Sequence, residues 1–244
     1  MQDCGEWLTF VAERGAVQGE ELLNCYGEHG NAQWLINGGF VEPSNPFEEL
    51  LASRAEAVSA ALMYLASDCR LENAEARVGG RLSWLQEQAL ATDDAFTITP
   101  QDLLPDGLTT LMLVLCMSDS EFAVFTPRLL DIAVEELGEP LLRDLYSSVL
   151  RLVELLEQRY DTSLEEDELL LERLFGERSA PPPAKRRRWD VVQELGEDVR
   201  VENARHCLLL RIGQKRLLQE LRQRTEGCFA TDSEEEVCAE SACG

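Results

Sequence analysis

Histidine is the side chain that takes up and releases protons near neutral pH, and this chain has two of them. His29 lies in a glycine-flanked turn, and His206 adjoins Cys207 inside a leucine-rich stretch. A thiolate activated by an imidazole would make a nucleophile, and such partners need only be close in space. Surface or helix-packing histidines account for both positions more simply. The eight cysteines, Cys4, Cys25, Cys69, Cys116, Cys207, Cys228, Cys238 and Cys243, contain no CxxC unit. Structural zinc sites bring their ligands in close pairs, so no metal is expected. No glycine-rich phosphate loop follows a strand, so no nucleotide or other cofactor is expected either. These residues predict a protein that is not an enzyme.

Charged runs offer a different chemistry. Lys185, Arg186, Arg187 and Arg188 follow three prolines, and an exposed basic run of this kind is what a nuclear-import receptor reads; the alternative is a solvated run that keeps a linker hydrated. Ser233, with Glu234, Glu235 and Glu236 after it, suits an acidophilic kinase, and phosphorylation would add about −1.5 to −2 charge. Equally, the acidic tail could stand unmodified. The net charge of −24 should repel phosphate backbones, so direct nucleic-acid binding is not expected. Unpaired cysteine spacing and an N-terminus without a basic then apolar leader suggest a reducing intracellular compartment. The most apolar run, Leu108 to Met117, is too short to span a bilayer, which takes about 20 residues.

The elements that would position these residues read as helices almost throughout, and strands are not expected. Helical spacing marks Glu6 to Ala16 and Glu20 to Tyr26, then a short turn from Asn31 to Ile36 that Gly38 and Gly39 stop. Asn45, Pro46, Glu48 and Glu49 resemble a helix start. The helix expected from there carries Leu51, Ala55, Val58, Leu62, Leu65 and Cys69 along one stripe. Gly79-Gly80 predicts a kinked or broken helix over 72–90. Thr99 to Asp102 has the pattern of a capped start, and Asp106 can cap the apolar run. Ser118 with Glu121, Thr126-Pro127, Pro140 and Ser163 with Glu166 mark four further starts; the helix opened by Pro140 carries Leu142, Leu145, Val149, Leu152 and Leu156.

The composition changes at Ser179. We divide the chain into a helical globular domain (1–177), a proline-rich basic linker (178–190), an amphipathic helical extension (191–225) and a disordered acidic tail (226–244). The fold class is all-α, amphipathic helices around a central apolar one.

Two segments have the spacing of a death-motif helix, in which apolar residues fill a partner's groove: Leu130, Val134, Leu137, Gly138, Glu139 and Leu141, and the shorter Val192, Leu195, Gly196, Glu197 and Val199. Ordinary core faces would show the same spacing. Glu236 to Glu240 approaches the LxCxE pattern that binds retinoblastoma protein, with Glu236 where leucine should stand. AVQGEELL, QWLINGG, NPFEELLASRAE, LPDGLTTLMLVLCMSDSEF, PRLLDIAVEEL and AKRRRW together resemble the Bcl-2-like apoptosis inhibitors, and among them the adenoviral small early T-antigens. That resemblance implies a Bcl-2-like bundle and a groove lined by Leu104, Gly107, Leu108, Leu111, Leu115 and Leu130. The groove would sequester pro-apoptotic Bax- or Bak-type host proteins through an amphipathic helix. The protein would then act at cytoplasmic, mitochondrial or nuclear membranes. Leu108 stands where the resembled family carries arginine, so a partner there would rely on apolar anchors.

The alternative is a nuclear regulatory adaptor, with the basic run for import and the C-terminal helix and acidic tail as docks for host proteins. A cysteine-dependent enzyme would need a thiol of unusually low pKa.

Overall fold

The computed structural model describes residues 2–3, 8–9, 11–12, 14–21, 27–125, 137–175 and 191–241, with side chains described from 11 onward except within 191–200 and 230–241. The described residues are mostly helical: α1 (Asn31–Gly38), α2 (Arg54–Met63), α3 (Ala74–Glu87), α4 (Asp106–Cys116), α5 (Asp119–Phe125), α6 (Glu139–Glu157), α7 (Leu164–Phe175) and α8 (Val191–Ser241). A π turn, Tyr64–Asp68, continues α2.

Strands are present, against expectation. β1 (Gln2–Asp3) pairs with β2 (Leu8–Thr9), inside a segment whose spacing had suggested a helix. β3 (Leu50–Ser53) runs antiparallel to β4 (Ala95–Ile98), with Leu50 opposite Ile98 and Ser53 opposite Ala95. Alternation explains the second pair. Leu50, Ala52, Phe96 and Ile98 point into the core, while Leu51 is 53% exposed.

The helix expected from Pro46 therefore starts eight residues later. Ser53 caps it: the Glu56 amide donates to Ser53 Oγ at 3.2 Å and the Ser53 amide donates to the Glu56 carboxylate at 2.9 Å. Asn45 instead folds its own turn, accepting from the Phe47 amide at 3.0 Å. The buried face of α2 is Ala57, Ala60 and Ala61, continued by Tyr64 and Leu65 of the π turn; of the expected stripe Leu65 is core, Val58 and Leu62 pack partly buried against it, and Leu51, Ala55 and Cys69 are exposed. Gly79 and Gly80 sit within an unbroken α3, on its exposed side. Thr99 to Asp102 closes a tight turn rather than a helix, and Pro105 rather than Asp106 occupies the cap of α4.

Other starts hold. The Ser118 amide donates to Glu121 at 2.7 Å and the Ser163 amide to Glu166 at 2.7 Å, each with the reciprocal bond. Pro140 lies in the first turn of α6. The left-handed Gly39, at φ 71°, ends α1.

Helix α4 is the centre. Leu108, Leu111, Met112, Val114 and Leu115 are wholly buried, with α2, α3 and α6 packed around them. Helix α6 turns Leu145, Val149, Leu152 and Leu156 inward and also contacts α8. Leu217, Leu218 and Leu221 of α8 join the same apolar cluster, so the C-terminal helix docks back on the body. The α8 backbone stays helical to Ser241, beyond the 191–225 expected and into the stretch expected to be disordered. No helix among the described residues is long and apolar enough to cross a membrane.

Candidate functional site

Three of the six residues expected to line a groove are core instead. Leu108, Leu111 and Leu115 have no exposed surface, Leu104 and Gly107 are half-buried, and Leu130 lies outside the described residues. A Cβ on Gly107 would meet the Phe96 ring at 3.2 Å, so that approach serves the β3–β4 pair. Lys185 to Arg188 also lie outside the described residues. Ser233 falls within the α8 backbone, where side chains are not described.

The remaining reactive candidates are scattered. His29 packs edge-on against Trp34 with ring centres 5.3 Å apart, and its carbonyl accepts from Asn45. His206 Nε2 lies 3.3 Å from Glu202. Burial pushes the Cys116 thiol up to about 12, which keeps it protonated and unreactive.

What the fold brings together is a seam of charge between α7 and α8. Helix α6 ends at Glu157, a turn follows over 158–163, and the Ser163–Glu166 cap launches α7. Asp167, in the first turn of α7, is fully buried. Lys215 of α8 reaches it at 2.6 Å and also lies 2.6 Å from the Thr162 carbonyl and 3.1 Å from the Ser163 carbonyl. The Thr162 hydroxyl donates to Asp167 at 2.8 Å, and Arg211 adds a second cation. Burial alone would raise the Asp167 carboxyl, but the bonds from Lys215, Thr162 and Arg211 outweigh it and hold the group below the usual carboxylate range. One ammonium thus ties the α6–α7 turn to α8.

The seam continues on both sides. Arg216 pairs with Glu168 at 2.7 Å and Arg222 with Glu157 at 2.7 Å, so the basic face of α8 is spent on partners within the chain. The Lys215 ammonium sits 5.1 Å from the centre of the Tyr160 ring, and the Tyr160 hydroxyl donates to Gln214 at 2.9 Å. Burial pushes that phenol up. At the other side of α8, a Cβ on Gly213 would stand 2.3 Å from a Glu48 carboxylate oxygen, so glycine is what lets the helix lie there. Glu48 accepts from the Asn31 side chain at 2.6 Å, and burial raises its carboxyl above the ordinary range despite that bond.

Beside this lattice opens a cleft of about 340 Å³ whose walls include Tyr160, Leu164, Glu165 and Leu218, with the paired Glu157–Arg222 and the Asp167-bound Lys215 also lining it. With both cations already paired, Leu164, Leu218 and Tyr160 beside the Glu165 carboxylate suit an amphipathic cation or a peptide segment that carries one. Asp167, Lys215 and Tyr160 were not singled out in the sequence. One signal was available: the chain has only two lysines among its 22 basic residues, and Lys215 is the one inside a patterned helix. Where a compact ammonium must reach several oxygens, arginine does not substitute.

Comparison with known proteins corrects the functional expectations. N-lysine methyltransferase SETD6 of Rattus norvegicus is 29% identical over 131 residues, which cover 52% of this chain and 27% of that protein. The chain therefore spans about a quarter of the length of that curated relative. The resemblance to Bcl-2-like apoptosis inhibitors, and with it the capture of Bax- or Bak-type proteins, is overturned; so is the nuclear adaptor reading. The physical reason lies in the motifs. A central apolar helix arises in any helical globule, and FEELL leads into a strand rather than a helix. The expectation of a protein outside enzymology falls with it, since the relative is by name a methyltransferase. The sequence model of the Rubisco LSMT substrate-binding family matches residues 75–218, more than half the chain and everything from α3 to the Lys215 turn of α8, and the chain belongs to that family.

Proposed function

We propose that this protein serves protein-lysine N-methylation, its helical body holding the protein whose lysine receives the methyl group. The observation that carries this reading is the extent of the family match: residues 75–218 take in α4, α6, α7 and the Asp167–Lys215 tie, the part of the structure that builds the cleft. The methyltransferase relative supplies the reaction class. Geometry supports a binding role for the seam, because its cations are already paired while Glu165 stands at the cleft without an ion-pair partner among the described residues. A substrate segment bearing lysine would lay its aliphatic stem on Leu164, Leu218 and Tyr160 and its ammonium toward Glu165, since Glu157 is already paired with Arg222.

The test is methyl transfer from an isotopically labelled donor, with the full chain added to an extract of cells that lack it. Label on lysine side chains of discrete protein acceptors is expected. Tyr160→Ala with Leu164→Ser should raise the KM for those acceptors more than it lowers kcat. Extract proteins that gain no lysine label with the chain present would overturn the proposal.

A further inference from the structure

Helix α7 buries only one side. Asp167 is fully buried toward α8, and Leu171 and Phe175 are half-buried on that flank. The rest of the circumference carries Leu169, 64% exposed, Leu170, 36%, and Leu174, 52%. At 100° per residue these leucines spread over about 140° of the helix, with Glu166 and Arg173 between Leu169 and Leu170, and Glu165 and Glu172 beside Leu169.

Charge divides the helix the same way. The carboxylates turned toward α8, Asp167 and Glu168, are each matched by an α8 cation. Among the described residues, Glu165, Glu166 and Glu172 face no lysine or arginine within ion-pair distance, and Arg173 is the single cation on the outer arc. Exposed leucines interleaved with carboxylates that lack an ion-pair partner are complementary to a segment that interleaves apolar residues with lysine or arginine.

We infer that the outer face of α7 docks a basic, amphipathic segment of the protein substrate. This deepens the reading of the body as a substrate-binding module, and rests on it. Three leucines supply the apolar anchors and the glutamates set orientation and on-rate. At about 1.5 Å per residue the twelve residues of α7 offer roughly 18 Å, room for three turns of a partner helix. Nucleic acid, the other polymer with dense charge, has the wrong sign.

Two measurements on the full chain test it. The first is the affinity of a synthetic amphipathic peptide of leucine and lysine, read by fluorescence anisotropy. Leu169→Ser with Leu170→Ser and Leu174→Ser should weaken it about tenfold or more, as should Glu165→Gln with Glu166→Gln and Glu172→Gln. The charge-matched set Glu72→Gln, Glu75→Gln and Glu87→Gln on and near α3 should leave it unchanged. Equal losses from all three sets would show attraction to net charge alone and overturn the inference. Binding that emerges only after Lys185 to Arg188 are changed to alanine would show that the chain's own basic run occupies the face, and would also overturn it. The second measurement repeats lysine labelling of extract proteins with each set. Wild-type labelling that both α7 sets reduce supports the inference. Wild-type labelling that both sets leave intact overturns the α7 dock while the methylation reading stands; absence of labelling by the wild type overturns that reading and the dock together. The leucines are solvent-facing, and the glutamine set keeps the inference testable if the serine set does not fold.

Discussion

Asp167 ties the start of α7 to α8, and a buried carboxylate is stable only while its cations stay in place. Asp167→Asn leaves the Lys215 ammonium buried among neutral oxygens, and the expected loss is about 3 to 5 kcal/mol, read as a lower urea midpoint. The sign of the pH dependence follows from the lowered pKa. The folded-state value lies below the unfolded one of about 3.9, so this carboxylate's contribution is complete above that pH and disappears as pH falls through the folded value. Wild type and Asp167→Asn should therefore differ most near neutrality and converge in acid, in a series of urea titrations run from pH 7 downward. Lys215→Arg is not a conservative change here, since a planar guanidinium cannot reach the Thr162 carbonyl, the Ser163 carbonyl and Asp167 from one point.

At the scale of elements, α4 and α2 make opposite points. Leu108 to Met117 is apolar on every side, and the helix it forms is buried on every side; Leu111→Ala should cost about 2 to 5 kcal/mol, measured by chemical denaturation. In α2 the leucines drew attention, yet the core takes Ala57, Ala60 and Ala61, whose small side chains give no strong periodic signal. The strand pair β3–β4 was invisible because four residues of alternation in LLAS also fit a helical stripe, and its partner lies more than forty residues away. What decided the matter was the Ser53–Glu56 capping box, which starts the helix after the strand; Ser53→Ala should destabilise by about 0.5 to 2 kcal/mol in the same assay. The caps at Ser118, Pro140 and Ser163 were legible because each is local, a side chain bonding to backbone within three residues or a proline fixing its own φ.

For the whole molecule, the helical class was readable from periodicity, and the acidic balance from counting. The site was not. Asp167 and Lys215 are 48 residues apart, and only the docking of α8 on α6 and α7 makes them neighbours. Short leucine-based motifs pointed instead to apoptosis inhibitors, since leucine spacing reports that a helix packs and not what it packs against. A family match across α3 to α8 carries more information than any of those motifs because it spans all the elements that form the seam. Under the proposed function the net charge of −24 takes on a direction, because an acidic surface would favour the approach of lysine-bearing protein segments. The most direct test of the central claim is a quantitative comparison of methylated lysines across the proteins of cells that carry this chain and cells from which it has been removed. The account predicts that a defined set of methyl-lysines disappears on removal and returns with the wild-type chain; methyl-lysines identical in the two cell lines would contradict it.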